Sequence, residues 1–301
     1  MAFRTIEITR PSELHMKNGQ LEIAQEEGTV MIPIEDISQI FCIGPDIRIS
    51  TMALSKLALH KVALTTLDEK YLPTATVLPF EGHARQSQLM HLQVAYGEEF
   101  KQLLWLQIIN KKISNQSRAL SIMGLEGAEK VMSYAIELTA DNVDMNESLA
   151  AKDYFSFYHP GLNRRVDDPI NSRLNYGYAV VRSAIARALV AAGFHPTFGL
   201  HHDNQLNAFN LADDLIEPWR PMVDLVAHEN VGTNIMLNKA ERYKLAHVLH
   251  DACMIDGHKM TILSAIDIMC ESLKRCYLEN DIELLKLPTV IQIEEMELIN
   301  E

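Results

Sequence analysis

Two segments of the chain hold the residue types that could do chemistry. Between Gly193 and Asp224 the sequence reads GFHPTFGLHHDNQLNAFNLADDLIEPWRPMVD, with His201-His202-Asp203 in a polar loop after Gly199, then Asp214 and Glu217 three residues apart. On a helix starting near Asn207 or Asn210, that spacing projects both carboxylates from one face. Two acids directed at a histidine-bearing loop can bind a divalent cation, and imidazole with carboxylates suits Mn²⁺ or Mg²⁺ better than a thiolate-seeking metal. A plainer reading competes with this one: acids at helical spacing usually make a solvated face, and a lone histidine is usually a core or surface residue. Glu147 opens the stretch ESLAAKDYF. Taken alone, it is an acid in the first turn of a helix, where the macrodipole favours it. His247 and His250 lack the HExxH pattern and His195 precedes Pro196, so all three read as structural.

A second chemical signal is basic. Arg164, Arg165, Arg173, Arg182 and Arg187 stand against Asp167 and Asp168 between Pro160 and Leu200, a local charge of +3 with Tyr176 and Tyr178 interleaved. Guanidinium forks and aromatic faces suit phosphates and unstacked bases. An ordinary helix face with buried tyrosines explains the same composition.

The elements that must position these residues change character along the chain. Up to about Phe80 the sequence reads as short strands: Phe3 to Thr9, Leu14 to Lys17, Gln20 to Gln25, Thr29 to Ile34, Ile37 to Ile43, Val62 to Leu67 and Thr74 to Leu78. Asn18-Gly19 supplies the two positive-φ residues of a tight hairpin, and Ser50-Thr51 can cap a helix to about His60. Beyond about Gly82 the apolar period becomes helical, with helices expected over Ala128 to Glu137, Glu147 to Phe157, Asn171 to Ala192, Glu241 to Asp251 and Met260 to Leu278. The Asn171 helix has Pro169 before it, Gly193 at its end, and a buried stripe of Leu174, Tyr178, Val181, Ile185, Ala188 and Leu189. The expectation is an α+β protein: a small β-rich domain over residues 1–82, then a larger all-α domain over residues 83–301 that carries the site.

Composition bounds the rest. The 301 residues are 48% apolar and 22% charged, ample for a packed core and far from the composition of disorder. No apolar run reaches the roughly 18 residues of a membrane span, and MAFRTIEITR has no apolar signal-peptide region, which leads us to expect a soluble cytoplasmic protein. Cys42, Cys253, Cys270 and Cys276 show no CxxC spacing and read as reduced thiols. The net charge of −13 at first argues against nucleic acid, but the stretch from Glu279 to Glu301 holds seven acids and one lysine. The acidity is concentrated away from the basic segment.

In their order these pieces resemble the CRISPR-associated adaptation integrases. LHMKNGQLEI and IPIEDISQIFCIGPDIRISTMALSKLALHKVALTTLDEKYLP are similar to the family's β-domain, and NESLAAKDYF, NSRLNYGYAVVRSAIARALVAAGFHPTFGLHH and FNLADDLIEPWRP to its helical catalytic part. The resemblance implies a Mg²⁺ or Mn²⁺ ion held by Glu147, His202 and Glu217, with Asp214 a supporting acid and His201 a second candidate beside His202. Some branches have Asp where this chain has Glu217. It further implies insertion of foreign DNA at the CRISPR repeat, through attack of a 3′-hydroxyl on a phosphodiester. Arg164, Arg165, Arg173 and Arg182 are then candidates for the DNA backbone, and Tyr176 for stacking. The implied partners are double-stranded DNA, a second copy of the chain bound through the β-domain, and a small ferredoxin-like adaptation protein completing a hetero-hexamer. The LADDLIEP segment looks most like the branch that accompanies a single large RNA-guided effector nuclease, which is a further possible partner. Two other readings of the residues stand beside it: a non-catalytic DNA-binding scaffold, and a zinc hydrolase using His201, His202 and Asp214.

Overall fold

The structure, a computed structural model, describes residues 4–44, 46–67, 73–77, 79, 86–229 and 234–292. Strands fill the first part: β1 Arg4–Ile8, β2 Ser12–Lys17, β3 Gln20–Gln25, β4 Gly28–Pro33, β5 Ile37–Cys42, β6 Ile47–Ile49, β7 Ala63–Leu67 and β8 Pro73–Val77, with α1 at Thr51–Leu59. They form two four-stranded sheets, in the orders β1-β5-β7-β8 and β4-β3-β2-β6. Asn18 and Gly19 take φ of 50° and 77° and close the β2–β3 hairpin, the geometry a two-residue turn needs to match strand twist. The Ser50 side chain caps α1 as expected, accepting from the Ala53 N–H. Strand β6 pairs in parallel with β2 and was not anticipated, because three residues are too few to show an alternation.

β5 is buried along its whole length between parallel neighbours β1 and β7. Successive side chains alternate faces. Ile40 and Cys42 accordingly join the core of the β-rich part, whereas Phe41 joins the core of the helical part. The first sheet thus lies between two cores.

The helical part runs α2 Gln86–Ala95, α3 Glu98–Ile122, α4 Ala128–Ile136, α5 Val143–Tyr158, α6 Pro169–Ala192, α7 Asn210–Leu215, α8 Arg220–Glu229, α9 Lys239–His247 and α10 Ile262–Glu279. α6 is its axis. The Asp168 side chain caps it, Pro169 sits in its first turn, and Gly193 ends it at φ 100°. All six residues of the expected apolar stripe are buried, and so is most of the rest of the helix. Gly177 permits the tight approach of α8, since a Cβ there would fall on Val223. Arg173 is buried within this packing and paired with Glu241 of α9.

Two expectations need correction. The helical part is not all-α: β9 Ala252–Ile255 and β10 His258–Thr261 form an antiparallel hairpin, so Met260 lies in a strand. Asp256-Gly257, at φ 49° and 77°, is the turn signal that the apolar neighbours obscured. Helix α5 begins at Val143, which puts Glu147 in its second turn and makes Asp144 the first-turn acid. The expected domain boundary at 82/83 lies outside the described residues.

Candidate metal centre

Three segments distant in sequence bring charge to one buried point. Lys112 on α3 places its Nζ 2.5 Å from Glu147 Oε1 on α5 and 2.5 Å from Glu217 Oε2, in the 3₁₀ turn between α7 and α8. The Glu217 Oε1 atom accepts a hydrogen bond from Arg220 Nε at 2.8 Å. Glu217 is 5% exposed and Lys112 8%, which rules out a solvated acidic face. Burial alone would raise the Glu217 carboxyl, but Arg220 and Lys112 outweigh it and hold the group at about 2. For Lys112 burial pulls downward, yet the attraction of Glu217 and Glu147 leaves its ammonium raised above the usual lysine value.

Asp214 does different work from Glu217, although the two are one helical turn apart. Its carboxylate is fully buried and accepts the backbone N–H groups of Leu200 at 2.5 Å, His201 at 3.2 Å and His202 at 3.1 Å. The same group lies 2.6 Å from His202 Nδ1. A carboxylate that faces a ring nitrogen fixes the proton on Nδ1 and leaves the Nε2 lone pair outward, the arrangement seen around metal-ligating histidines. That hydrogen bond raises the His202 pKa, and the charges of Asp214, Glu217 and Asp213 add to it. His201 instead lies flat on the buried Trp105 indole, with centroids 4.4 Å apart and planes 1° from parallel. The loop carrying both histidines is pinned by Gln93 of α2, which bonds the main chain of His195 and Phe198, and by Asn210, which bonds the main chain of Asn204.

Beside Lys112 and Glu217 lies a cleft of about 240 Å³, whose wall also includes Gln116, Arg164, Tyr178 and Asp224. Asp224 is buried and accepts hydrogen bonds from Tyr154 at 2.8 Å and Tyr178 at 2.5 Å. Burial outweighs those two bonds and pushes its carboxyl up to about 6.

The basic residues divide. Arg165 is exposed and Arg164 lies at the cleft, bonded to Asn171 and Asn175. Arg182 is half-buried and forks onto Asp213 at 2.5 and 2.8 Å. Arg173 and Tyr176 correct the expectation of surface contacts. Arg173 is fully buried on Glu241 and on the carbonyls of Pro169 and Asn234, and Tyr176 is fully buried with its hydroxyl donated to Glu7 of β1. Groups so committed hold the fold.

Lys112 and Gln116 were missed in the sequence although a signal existed. Trp105, Ile108, Ile109, Ile113, Ala119 and Leu120 mark the buried side of α3, and the two polar residues fall in phase with them. Arg220 stood in the quoted EPWRP segment without a role.

Glu147 and Glu217 meet on Lys112, while His202, held by Asp214, feels the charge of Glu217. Among the described residues no three His, Cys, Asp or Glu side chains close on one point as a metal cage would. The donor chemistry nevertheless fits a hard divalent ion. Glu217 Oε2 is buried against the Lys112 ammonium, and a carboxylate oxygen facing a cation is the donor type that a hard divalent ion takes.

A β-rich part built on two sheets followed by a mostly helical body is an architecture shared with solved proteins. A casposase bound to an integration product superposes with a TM-score of 0.77 at 18% identity, covering 92% of this chain and 91% of that one. A chain of a Cas6–RT–Cas1–Cas2 complex superposes at 0.75 with 17% identity, covering 98% of this chain and 36% of that one. In sequence, the family described as CRISPR associated protein Cas1 matches residues 6–254. The chain is 33% identical over 300 residues to the CRISPR-associated endonuclease Cas1 of Neisseria meningitidis serogroup C (strain 8013), covering 98% of this chain and 99% of that protein. The chain belongs to the Cas1 family of CRISPR-associated endonucleases.

Proposed function

We propose that this chain is a metal-dependent DNA endonuclease and integrase of CRISPR adaptation, joining the 3′-hydroxyl of a foreign DNA fragment to the repeat by transesterification. The observation that carries the reading is the convergence of Glu147 and Glu217 on one buried cation beside a histidine whose Nδ1 is tied to Asp214. In this reading Glu147, His202 and Glu217 hold Mg²⁺ or Mn²⁺. When bound, such an ion supplies Lewis-acid polarisation of the phosphodiester and stabilises charge on the leaving oxygen. Asp214 orients His202, and Arg220 keeps Glu217 ionised and turned toward the site. In this reading Arg164, which lines the cleft, and exposed Arg165 contact the DNA backbone.

The proposed partners rest on the likeness to the family. The β-rich part is the proposed surface for a second copy of the chain, and the assembly is completed by a small ferredoxin-like adaptation protein and DNA. A role beside a single large effector nuclease is compatible with the likeness to the Neisseria protein. The experiment is strand transfer of a labelled duplex into a repeat-bearing plasmid with Mn²⁺. Glu147→Ala and His202→Ala should abolish it while the melting profile stays cooperative. Full activity in both would sink this assignment of the site, whereas no strand transfer by the parent, with DNA binding that weakens with salt and needs no divalent ion, would leave the scaffold reading.

A further inference from the structure

The position between Glu147 and Glu217 is held by a side chain of the protein itself. Lys112 Nζ stands 2.5 Å from an oxygen of each carboxylate, and that is where an ion bridging the two would have to sit. An ammonium and a divalent cation cannot share it. Lysine is suited to leaving, because its charge rides on a flexible four-carbon stem. A destination also exists. Gln116, one helical turn along α3 and on the same buried side, has its Oε1 enclosed with no hydrogen-bond partner and lines the same cleft as Lys112. A buried amide oxygen left without a donor is uncommon and costly.

From this geometry we infer that Lys112 is a resident counter-ion of the site: metal enters by displacing its ammonium from Glu147 and Glu217, and Gln116 Oε1 receives the displaced ammonium. The inference rests on the metal reading above and adds a device to it. With Lys112 in place the two carboxylates stay together and compensated in the protein's interior, where an unpaired charge would be costly. Metal affinity is then lowered by the fraction of molecules in which the ammonium occupies the position, as for any ligand whose competent state is a minority. The displaced positive charge remains in the cleft, whose wall also holds Arg164 and Arg220.

The test is Mn²⁺ binding to the full chain without DNA, read by titration calorimetry and by the electron spin resonance signal of free Mn²⁺. Lys112→Met keeps the length and helix propensity of the side chain and should bind Mn²⁺ about tenfold or more tightly than the parent. Gln116→Met should bind roughly tenfold more weakly than the parent. The decisive comparison is the double variant, which should match Lys112→Met alone, because without the ammonium no acceptor is needed. Thermal melting gives a second readout: Lys112→Met should melt lower than the parent in EDTA and gain more from Mn²⁺. An unchanged or weaker Mn²⁺ affinity in Lys112→Met overturns the inference. So does a Gln116→Met effect of equal size in both backgrounds, which would make Gln116 a ligand in its own right. Mn²⁺ binding by the parent that Glu147→Ala removes and Lys112→Met leaves unchanged sinks this inference alone, whereas no binding by the parent or by Lys112→Met sinks the metal reading with it.

Discussion

Asp214 holds His202 twice, by the backbone N–H at 3.1 Å and by the ring Nδ1 at 2.6 Å, so one carboxylate fixes both where the loop runs and which nitrogen faces outward. Asp214→Asn replaces an acceptor-only group by one that turns an N–H₂ toward other donors. It should lower Mn²⁺ affinity and strand transfer by about 10–100-fold while the chain stays folded. Calorimetry and the plasmid assay together check this, and parental values in both would show that His202 needs no such support.

Gly199 makes that cradle possible. A Cβ at this position would fall on the His202 carbonyl oxygen and come within 2.8 Å of Asp214 Oδ2. Both are fixed neighbours, so Gly199→Ala should displace the loop and mimic Asp214→Asn in Mn²⁺ affinity, with a stability loss of about 1–3 kcal/mol. A chemical denaturation series beside the Mn²⁺ titration reads both quantities.

Removing Glu217 uncovers two cations. Glu217→Ala leaves Lys112 with Glu147 alone and Arg220 without its carboxylate, and should cost about 3 kcal/mol, the lower end for a broken buried pair because Arg220 is partly exposed. The pH dependence has a definite sign. The folded-state value of about 2 lies below the ordinary 4.5, so Glu217 contributes stability above about pH 4.5 that is lost as pH falls toward 2. Glu217→Gln should flatten that part of the acid unfolding curve, and an unaltered curve would deny the pairing its role.

Asp224 behaves oppositely. Its carboxyl, raised from 3.8 to about 6, binds a proton more readily in the folded chain, so it takes stability away as pH rises through that window. Asp224→Asn should therefore gain stability relative to the parent between about pH 4 and 6, with no further change above. Melting points of the two proteins across that range decide it.

For DNA, exposed Arg165 and buried Arg173 should separate cleanly. Arg165→Ala should weaken binding to all sequences alike and lower the salt slope by about one, with little effect on stability. Arg173→Ala should instead lower stability by about 3 kcal/mol or more through the orphaned Glu241. A stability-neutral Arg173→Ala that loses DNA affinity would restore it to the DNA surface.

Much of the fold is legible in the sequence. Asn18-Gly19, the Ser50 cap, and the Pro169 and Gly193 limits of α6 are local signals, and each formed where its chemistry requires. The acids and histidines of the site were visible as residue types. What could not be read was their division of labour. Asp214 and Glu217 share a helical spacing, yet one turns to main-chain N–H groups and the other to Lys112 and Arg220, a choice made by α3 and the loop after α6. Arg173 and Tyr176 misled because composition counts charges and rings without their depth. Only packing against Glu241 and Glu7 distinguishes a strut from a contact.

Asn115 of α3 gives the fold a practical asymmetry between its two ends. Its amide nitrogen donates to the carbonyls of Pro218 and Pro288, and its oxygen accepts the Val290 N–H, so the residue after Glu217 and the last described segment hang on one side chain. A chain shortened to end before Pro288 would strip Asn115 of two of those three bonds and slacken the turn that presents Glu217. Trimming from this end is therefore an inadvertent way of editing the site.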